Sequence, residues 1–159
     1  MNQEASQNRL VYVPATPADA PAIFAFAREL IETYETDPEL DLAMALNWTR
    51  RKIEKRIGEY TRVLLDDAAV AYFRFVPEGE RMELDDLYVL PAYRNRGIGT
   101  AILRRCRAQG KPVFFYVFTE NRRAVALYER EGFRITERVS PTRAIMAQDG
   151  GLPFSVEGV

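Results

Sequence analysis

Polar and apolar positions along the chain fall into blocks whose period switches between that of a strand and that of a helix. Leu10 to Val13 reads as a first strand. In Thr16-Pro17-Ala18-Asp19, a threonine cap, a proline at the first position and an acid three residues after the cap announce a helix, with Pro21 blurring its first turn. Ile23, Ala27, Leu30, Ile31 and Tyr34 then share one helical face. An acidic loop around Pro38 runs from Glu35 to Asp41. Leu42, Leu46, Thr49, Ile53 and Ile57 form the face of a second helix, and Gly58 is its expected stop.

Strand periodicity takes over at Arg62 to Leu65, Val70 to Val76 and Met82 to Val89. Turn residues at Asp66-Asp67 and Pro77-Glu78-Gly79 link them tightly, which favours an antiparallel meander. A third helix is expected from the glycine-containing loop to Gln109, closed by Gly110-Lys111-Pro112. Val113 to Phe118 is continuously apolar, as in a strand buried on both faces. Asn121 can cap a fourth helix through Glu131, with Gly132 ending it in the left-handed conformation. Phe133 to Val139 and Arg143 to Ala147 make a last hairpin around Ser140-Pro141. The strand, helix and strand from Met82 to Phe118 form a crossover unit, so those two strands run parallel within an otherwise mixed α/β sheet with helices on both sides.

No repeat or linker divides the 159 residues, so a single domain over residues 1–147 is expected, with a loose glycine-containing tail over 148–159. The net charge of −1 gives no overall reason to expect a nucleic-acid or membrane partner. Histidine is absent and Cys106 is the sole cysteine. Internal disulfides, Ser-His-Asp or Cys-His catalysis and the usual zinc sites are thereby excluded. Cys106 reads as buried filler in its helix. Proton transfer in an enzyme of this composition falls to Asp, Glu, Tyr, Lys or the backbone. The polar segment Met1 to Arg9 lacks the apolar core of a signal peptide, and no apolar run approaches membrane-spanning length, so a cytoplasmic location is the expectation.

The chemistry concentrates in the stretch from Leu84 to Leu103. A strand leads into the basic loop Arg94-Asn95-Arg96, followed by Gly97-Ile98-Gly99-Thr100 and a helix. Such an arrangement aims backbone N–H groups and the positive end of a helix dipole at one point, where an anion, usually a phosphate, belongs. Arg94 and Arg96 add forked donors suited to phosphate oxygens. The Gly-Lys-Ser/Thr sequence of a P-loop is absent, which argues against a nucleotide-phosphate enzyme.

Arg94, Gly97 and Gly99, after a strand and opening a helix, resemble the central motif of the GNAT superfamily of acyl-CoA-dependent N-acetyltransferases. Downstream, Asn121, Ala124, Ala126, Tyr128, Gly132 and Phe133 resemble that family's next helix and its exit. Order and spacing agree from about Val70 to Val139; the first two helices fit in number and place but match no motif. The resemblance implies a mixed, mostly antiparallel sheet of about seven strands, four flanking helices and a V-shaped splay between strands four and five.

It also implies roles. The loop residues Arg94, Asn95, Arg96, Gly97, Ile98, Gly99 and Thr100 would hold the pyrophosphate of acetyl-CoA. The pantetheine arm would lie in the splay and pair with backbone groups around Leu87 and Val89, and an N–H near Val89 could stabilise the oxyanion of the transfer. Asn121 would contact the cofactor arm besides capping its helix. Arg122 and Arg123 either meet the outer phosphate or form a solvated pair. Tyr128 is the candidate acid for the leaving thiolate, its structural alternative being a core tyrosine. An amine nucleophile arrives mostly protonated and needs a carboxylate to take its proton. Glu83 and Asp85 have the parity to share one face of their strand, and Asp86 points to the other unless a bulge intervenes.

Either Glu83 or Asp85 could be the base, with Asp85 the first choice. Glu35, Asp37, Glu39 and Asp41 could join Glu83, Asp85 and Asp86 in an acidic funnel for a cationic amine, such as a polyamine, an aminoglycoside or a lysine side chain. A hydrophilic surface loop explains them equally. Direct transfer from acetyl-CoA to a small-molecule or protein amine is the expected function, with no metal, and a homodimer is the expectation by resemblance. The alternative is a GNAT-like module that binds acyl-CoA without transferring the group.

Overall fold

In the computed structural model, which describes residues 9–148, a seven-stranded sheet has the order β1-β2-β3-β4-β5-β7-β6. The strands are β1 (Leu10–Pro14), β2 (Tyr60–Leu65), β3 (Ala68–Glu78), β4 (Arg81–Val89), β5 (Val113–Phe118), β6 (Phe133–Arg138) and β7 (Arg143–Gln148). The helices are α1 (Ala20–Tyr34), α2 (Leu42–Lys55), α3 (Ile98–Arg107) and α4 (Arg122–Arg130). Only the β4–β5 pairing is parallel; the other neighbours run antiparallel. The expected tail lies outside the described residues apart from Gln148, which is the last residue of β7 and accepts a hydrogen bond from the Val113 N–H.

Local chemistry places most boundaries. Thr16 and Asp19 form a capping box around a short 3-10 turn, Pro17–Asp19, so α1 itself starts after the expected cap. Asp41 caps α2 by accepting from the Met44 N–H at 3.1 Å. That helix ends at Lys55, before Gly58, which sits in a 3-10 turn. Leu42, expected inside, is exposed in the capped first turn. Asp66 and Asp67 are both left-handed, as a tight hairpin turn of the type that matches strand twist requires.

Two cores flank the sheet. On one face, Ile98, Ile102, Leu103 and Cys106 of α3 pack on Val63, Leu84, Phe115, Val117 and Met146. On the other, Ile23 and Ala27 of α1 and Ile53 of α2 pack on Tyr60, Tyr72 and Tyr88. β5 is not buried on both faces as its composition suggests: Phe115 and Val117 face the α3 core, whereas Tyr116 points away and is 46% exposed.

Parallel pairing of β4 with β5 stops after Met82↔Val113 and Glu83↔Phe114. From Leu84 onward β4 keeps only β3, and β5 continues against β7 alone. The two strands therefore part in a V whose apex lies at Glu83.

Candidate active site

The splay exposes one edge of β4. Leu90 donates its N–H to the Val70 carbonyl on β3 at 2.9 Å. Backbone groups alternate sides along a strand, so those of Val89 and Leu87 turn to the opposite edge, into the gap left by β5. Arg94 Nε donates to the Val89 carbonyl at 3.1 Å, which leaves Val89 its N–H as the group to offer. Beyond β4 a 3-10 turn, Pro91–Tyr93, leads into the basic loop, where Asn95 (φ 64°) and Gly97 (φ 81°) are left-handed. Successive N–H groups in such a loop converge into an anion-binding concavity.

Gly97 caps α3, and the first intrahelical bond runs from the Ala101 N–H to the Gly97 carbonyl. The N–H groups of Ile98, Gly99 and Thr100 accordingly head the helix. Gly97 has a conformational reason to be glycine; Gly99 has none of that kind. A Cβ at Gly99 would lie 3.7 Å from Leu127 and 3.9 Å from Val89, ordinary contacts. Arg123 donates to the Asn95 side-chain oxygen at 3.3 Å, tying α4 to the loop, while Arg122 pairs with Glu120 on the surface. Asn121 caps α4 by accepting from the Ala124 N–H at 3.3 Å, so its amide NH₂ remains for other partners.

Tyr128 packs on Phe115, the first β5 residue past the apex, with ring centroids 4.4 Å apart. Burial pushes its phenol up to about 12, so it carries its proton throughout the neutral range. Its hydroxyl has no hydrogen-bond partner among the described residues.

The carboxylates lie on the opposite, α2 face. A bulge does intervene in β4: Tyr72 pairs with Tyr88 but Arg74 with Asp85, and Asp86 takes φ 53°. The extra residue turns Asp86 to the side of Asp85, and both bond Lys52 of α2. Lys52 Nζ donates to Asp85 Oδ2 at 2.8 Å and to Asp86 Oδ2 at 3.1 Å. Asp86 also accepts from the hydroxyls of Tyr60 (2.5 Å) and Tyr88 (2.6 Å). Arg74 donates to Asp85 at 3.2 Å and to Glu59 at 2.7 Å.

Burial alone would raise the Asp86 carboxyl, but Lys52 and the tyrosine hydroxyls outweigh it and hold it below the usual range. Burial and the neighbouring Asp86 charge raise Asp85 in spite of Lys52. Burial disfavours the Lys52 cation too, yet Asp86 and Asp85 hold its pKa above the ordinary lysine value. Burial and the Asp86 charge also keep Tyr60 and Tyr88 protonated.

Glu83 differs from both aspartates. It is half-buried at the apex, and its carboxylate makes no hydrogen bond or ion pair among the described residues. Burial, then the Asp85 charge, raises its pKa. Lys52, Arg74, Tyr60 and Tyr88 did not emerge from the sequence. Two adjacent acids in mid-strand, followed closely by a tyrosine, were the available signal that buried counter-charges were needed.

The acidic loop is spent largely on structure. Glu35 accepts from Thr142 in the β6–β7 turn, Asp37 from the Glu39 N–H, and Asp41 caps α2. Cys106 is buried, and that burial pushes its thiol up to about 12.

The family model described as the acetyltransferase (GNAT) family matches residues 23–133. The chain belongs to that family. A curated relative, mycothiol acetyltransferase of Corynebacterium glutamicum (strain R), is 37% identical over 82 residues, covering 46% of this chain. The match spans 28% of that longer protein. Among solved structures, the PaiA N-acetyltransferase of Thermoplasma acidophilum in complex with coenzyme A superposes with a TM-score of 0.67. It is 17% identical and covers 87% of this chain and 98% of its own. An acetyltransferase of Thermus thermophilus gives 0.66 at 24% identity, covering 87% and 96%. These two likenesses carry the fold. No helix among the described residues is long and apolar enough to cross a membrane.

Proposed function

We propose that this chain transfers an acetyl group from acetyl-CoA directly to a primary amine. The observation that carries the reading is the parting of β4 and β5 at Glu83, with an unpaired carboxylate at the apex and an N–H-lined basic loop at the mouth. The residues present fit the cosubstrate. A Cβ at Gly99 would meet only ordinary contacts, so no internal clash demands glycine there, as expected where an anion must approach the backbone. The loop from Arg94 to Thr100 would hold the pyrophosphate, Leu87 and Val89 the amide-bearing arm, and Asn121 its NH₂-accepting groups. Acetyl-CoA supplies the activated thioester carbonyl.

The two proton-handling groups approach that gap from opposite faces of the sheet. Glu83 takes the proton of the incoming ammonium from the α2 face, freeing the nitrogen lone pair. As the N–C bond forms, the Val89 N–H faces the negative charge gathering on the acyl oxygen. As the C–S bond breaks, Tyr128 gives its proton to the sulfur from the α4 face and regains one from solvent. The nitrogen's second proton passes to water as the tetrahedral adduct collapses and Glu83 sheds its own, so ammonium and thioester become amide, free thiol and one released proton. Asp85, held by Lys52 and Arg74, is the second choice for the base. Direct transfer is favoured because the sole cysteine, Cys106, is protonated and buried in the α3 core.

Calorimetric titration of acetyl-CoA into wild-type protein and Arg94→Ala, with ATP as control, tests the reading. Micromolar-range binding that weakens about tenfold in the variant is expected, roughly the worth of one charge-assisted contact. No binding at any acyl length would overturn it. Binding with no free thiol released against any amine would indicate a non-catalytic acyl-CoA module.

A further inference from the structure

The chemistry above leaves an apolar surface at the start of α2 without a task, on the helix whose Lys52 acts electrostatically on Glu83. Leu40 (40% exposed), Leu42 (40%), Met44 (69%) and Trp48 (66%) crowd into nine residues at the start of α2. Met44, Trp48 and Lys52 follow at intervals of four and so share one side of the helix. Lys52 grips Asp85 and Asp86, which means that the stripe leads from solvent to the carboxylates of β4. Residues lining the cleft between α1 and α2, such as Ala43, Leu46 and Asn47, lie on another side of the helix.

A second exposed ring, Tyr116, lies on the Glu83 face of the sheet. Glu83 is the parallel-strand partner of Phe114, so their side chains share a face. Tyr116, two residues on, has the same parity and is 46% exposed. Guanidinium groups cover these rings: Arg81 lies 3.9 Å from the Phe114 centroid and Arg143 5.5 Å from that of Tyr116. Exposed apolar side chains near a carboxylate that is unpaired among the described residues mark a recognition surface rather than ordinary surface.

We infer that the acceptor is a primary amine borne on an apolar, preferentially aromatic, body, which packs between the Met44–Trp48 stripe and Tyr116 while its ammonium meets Glu83. This deepens the proposed transfer and rests on it. Charge balance points the same way. Lys52 and Arg74 already neutralise Asp85 and Asp86, so of the acids on β4 only Glu83 is left for an ammonium, which favours one cation over a polycation.

Trp48 is the sole tryptophan, which makes its fluorescence a direct reporter. Phenethylamine, hexylamine and putrescine would be titrated against the full chain with and without CoA, and the same amines assayed for thiol release from acetyl-CoA. Phenethylamine should perturb Trp48 saturably where putrescine does not, and should have the highest kcat/KM. Trp48→Ala and Tyr116→Ala should each raise the phenethylamine KM by about tenfold while leaving acetyl-CoA binding and the putrescine KM unchanged. Equal fluorescence responses, preferential use of putrescine, or an unchanged KM in both variants would overturn the inference. A dimer in light scattering that Trp48→Ala dissociates would assign the face to a second copy and overturn it likewise. Failure of acetyl-CoA to bind would remove the transfer reading, whereas the fluorescence titration needs no turnover and judges the amine surface separately.

Discussion

Asp86 and Glu83 stand three residues apart on one strand and live in opposite electrostatic states. Asp86 is the most completely satisfied acid of the site, with an ammonium and two phenols on its carboxylate. Glu83 has no partner within bonding distance among the described residues, although burial and the Asp85 charge press against its ionisation. Residue type alone does not distinguish them. A carboxylate whose oxygens are filled by fixed donors holds structure; one left bare at a strand junction is free to accept a proton. Asp85 lies between these extremes, raised in pKa yet bonded to both Lys52 and Arg74.

The comparison breaks most forcefully at Lys52. Lys52→Met strands two buried acids, and the loss of stability should be about 3 kcal/mol, read from urea denaturation. A loss below about 1 kcal/mol, the scale of a surface pair, would mean that Asp85 and Asp86 do not depend on it. Next comes the contrast between the carboxylates themselves. Glu83→Gln should cut kcat/KM by about a hundredfold or more with the fold intact, whereas Asp85→Asn should cost about tenfold or less. The reverse ranking would transfer the role of base to Asp85. Tyr128→Phe should lower kcat by a similar order with acetyl-CoA affinity retained, and unchanged turnover would remove it from the mechanism.

The smallest effect is the most diagnostic. Glu83 must be ionised to act, and its pKa is raised, so kcat/KM should climb with pH through a value above the usual glutamate range. Glu83→Gln should abolish that ascending limb. Tyr128, protonated up to about 12, should add no descending limb below pH values of about 10. A profile whose acid limb survives in Glu83→Gln would point to another group.

The two ends of the site were unequally legible. The loop that opens α3 was readable because its geometry is local: Arg94, Gly97, Gly99 and the helix start lie within a few residues, and Gly97 caps the helix without a distant partner. Asn121 as a cap and Gly132 as a left-handed stop were readable for the same reason, since each acts on its own helix terminus. The carboxylate network was not. Lys52 lies 33 residues from Asp85 and Tyr60 lies 26 from Asp86, and nothing in their own neighbourhoods says that they meet. Parity arguments also reached their limit at Asp86, where one extra residue in β4 reverses the side on which it stands.

The sequence by itself determined the order of elements, the crossover that makes β4 and β5 parallel, the glycine loop that opens α3 and the absence of any histidine- or disulfide-based chemistry. These follow from periodicity, capping and composition, all of which act over a few residues or over the whole count. Only the tertiary structure decided which acid is left unpaired among the described residues, that the acid and phenol candidates lie on opposite faces of the sheet, and that Lys52 of α2 is spent on Asp85 and Asp86. Those outcomes depend on which side chains the sheet brings within a few ångströms across dozens of residues, and a carboxylate's proton affinity is set by that company rather than by its place in the chain.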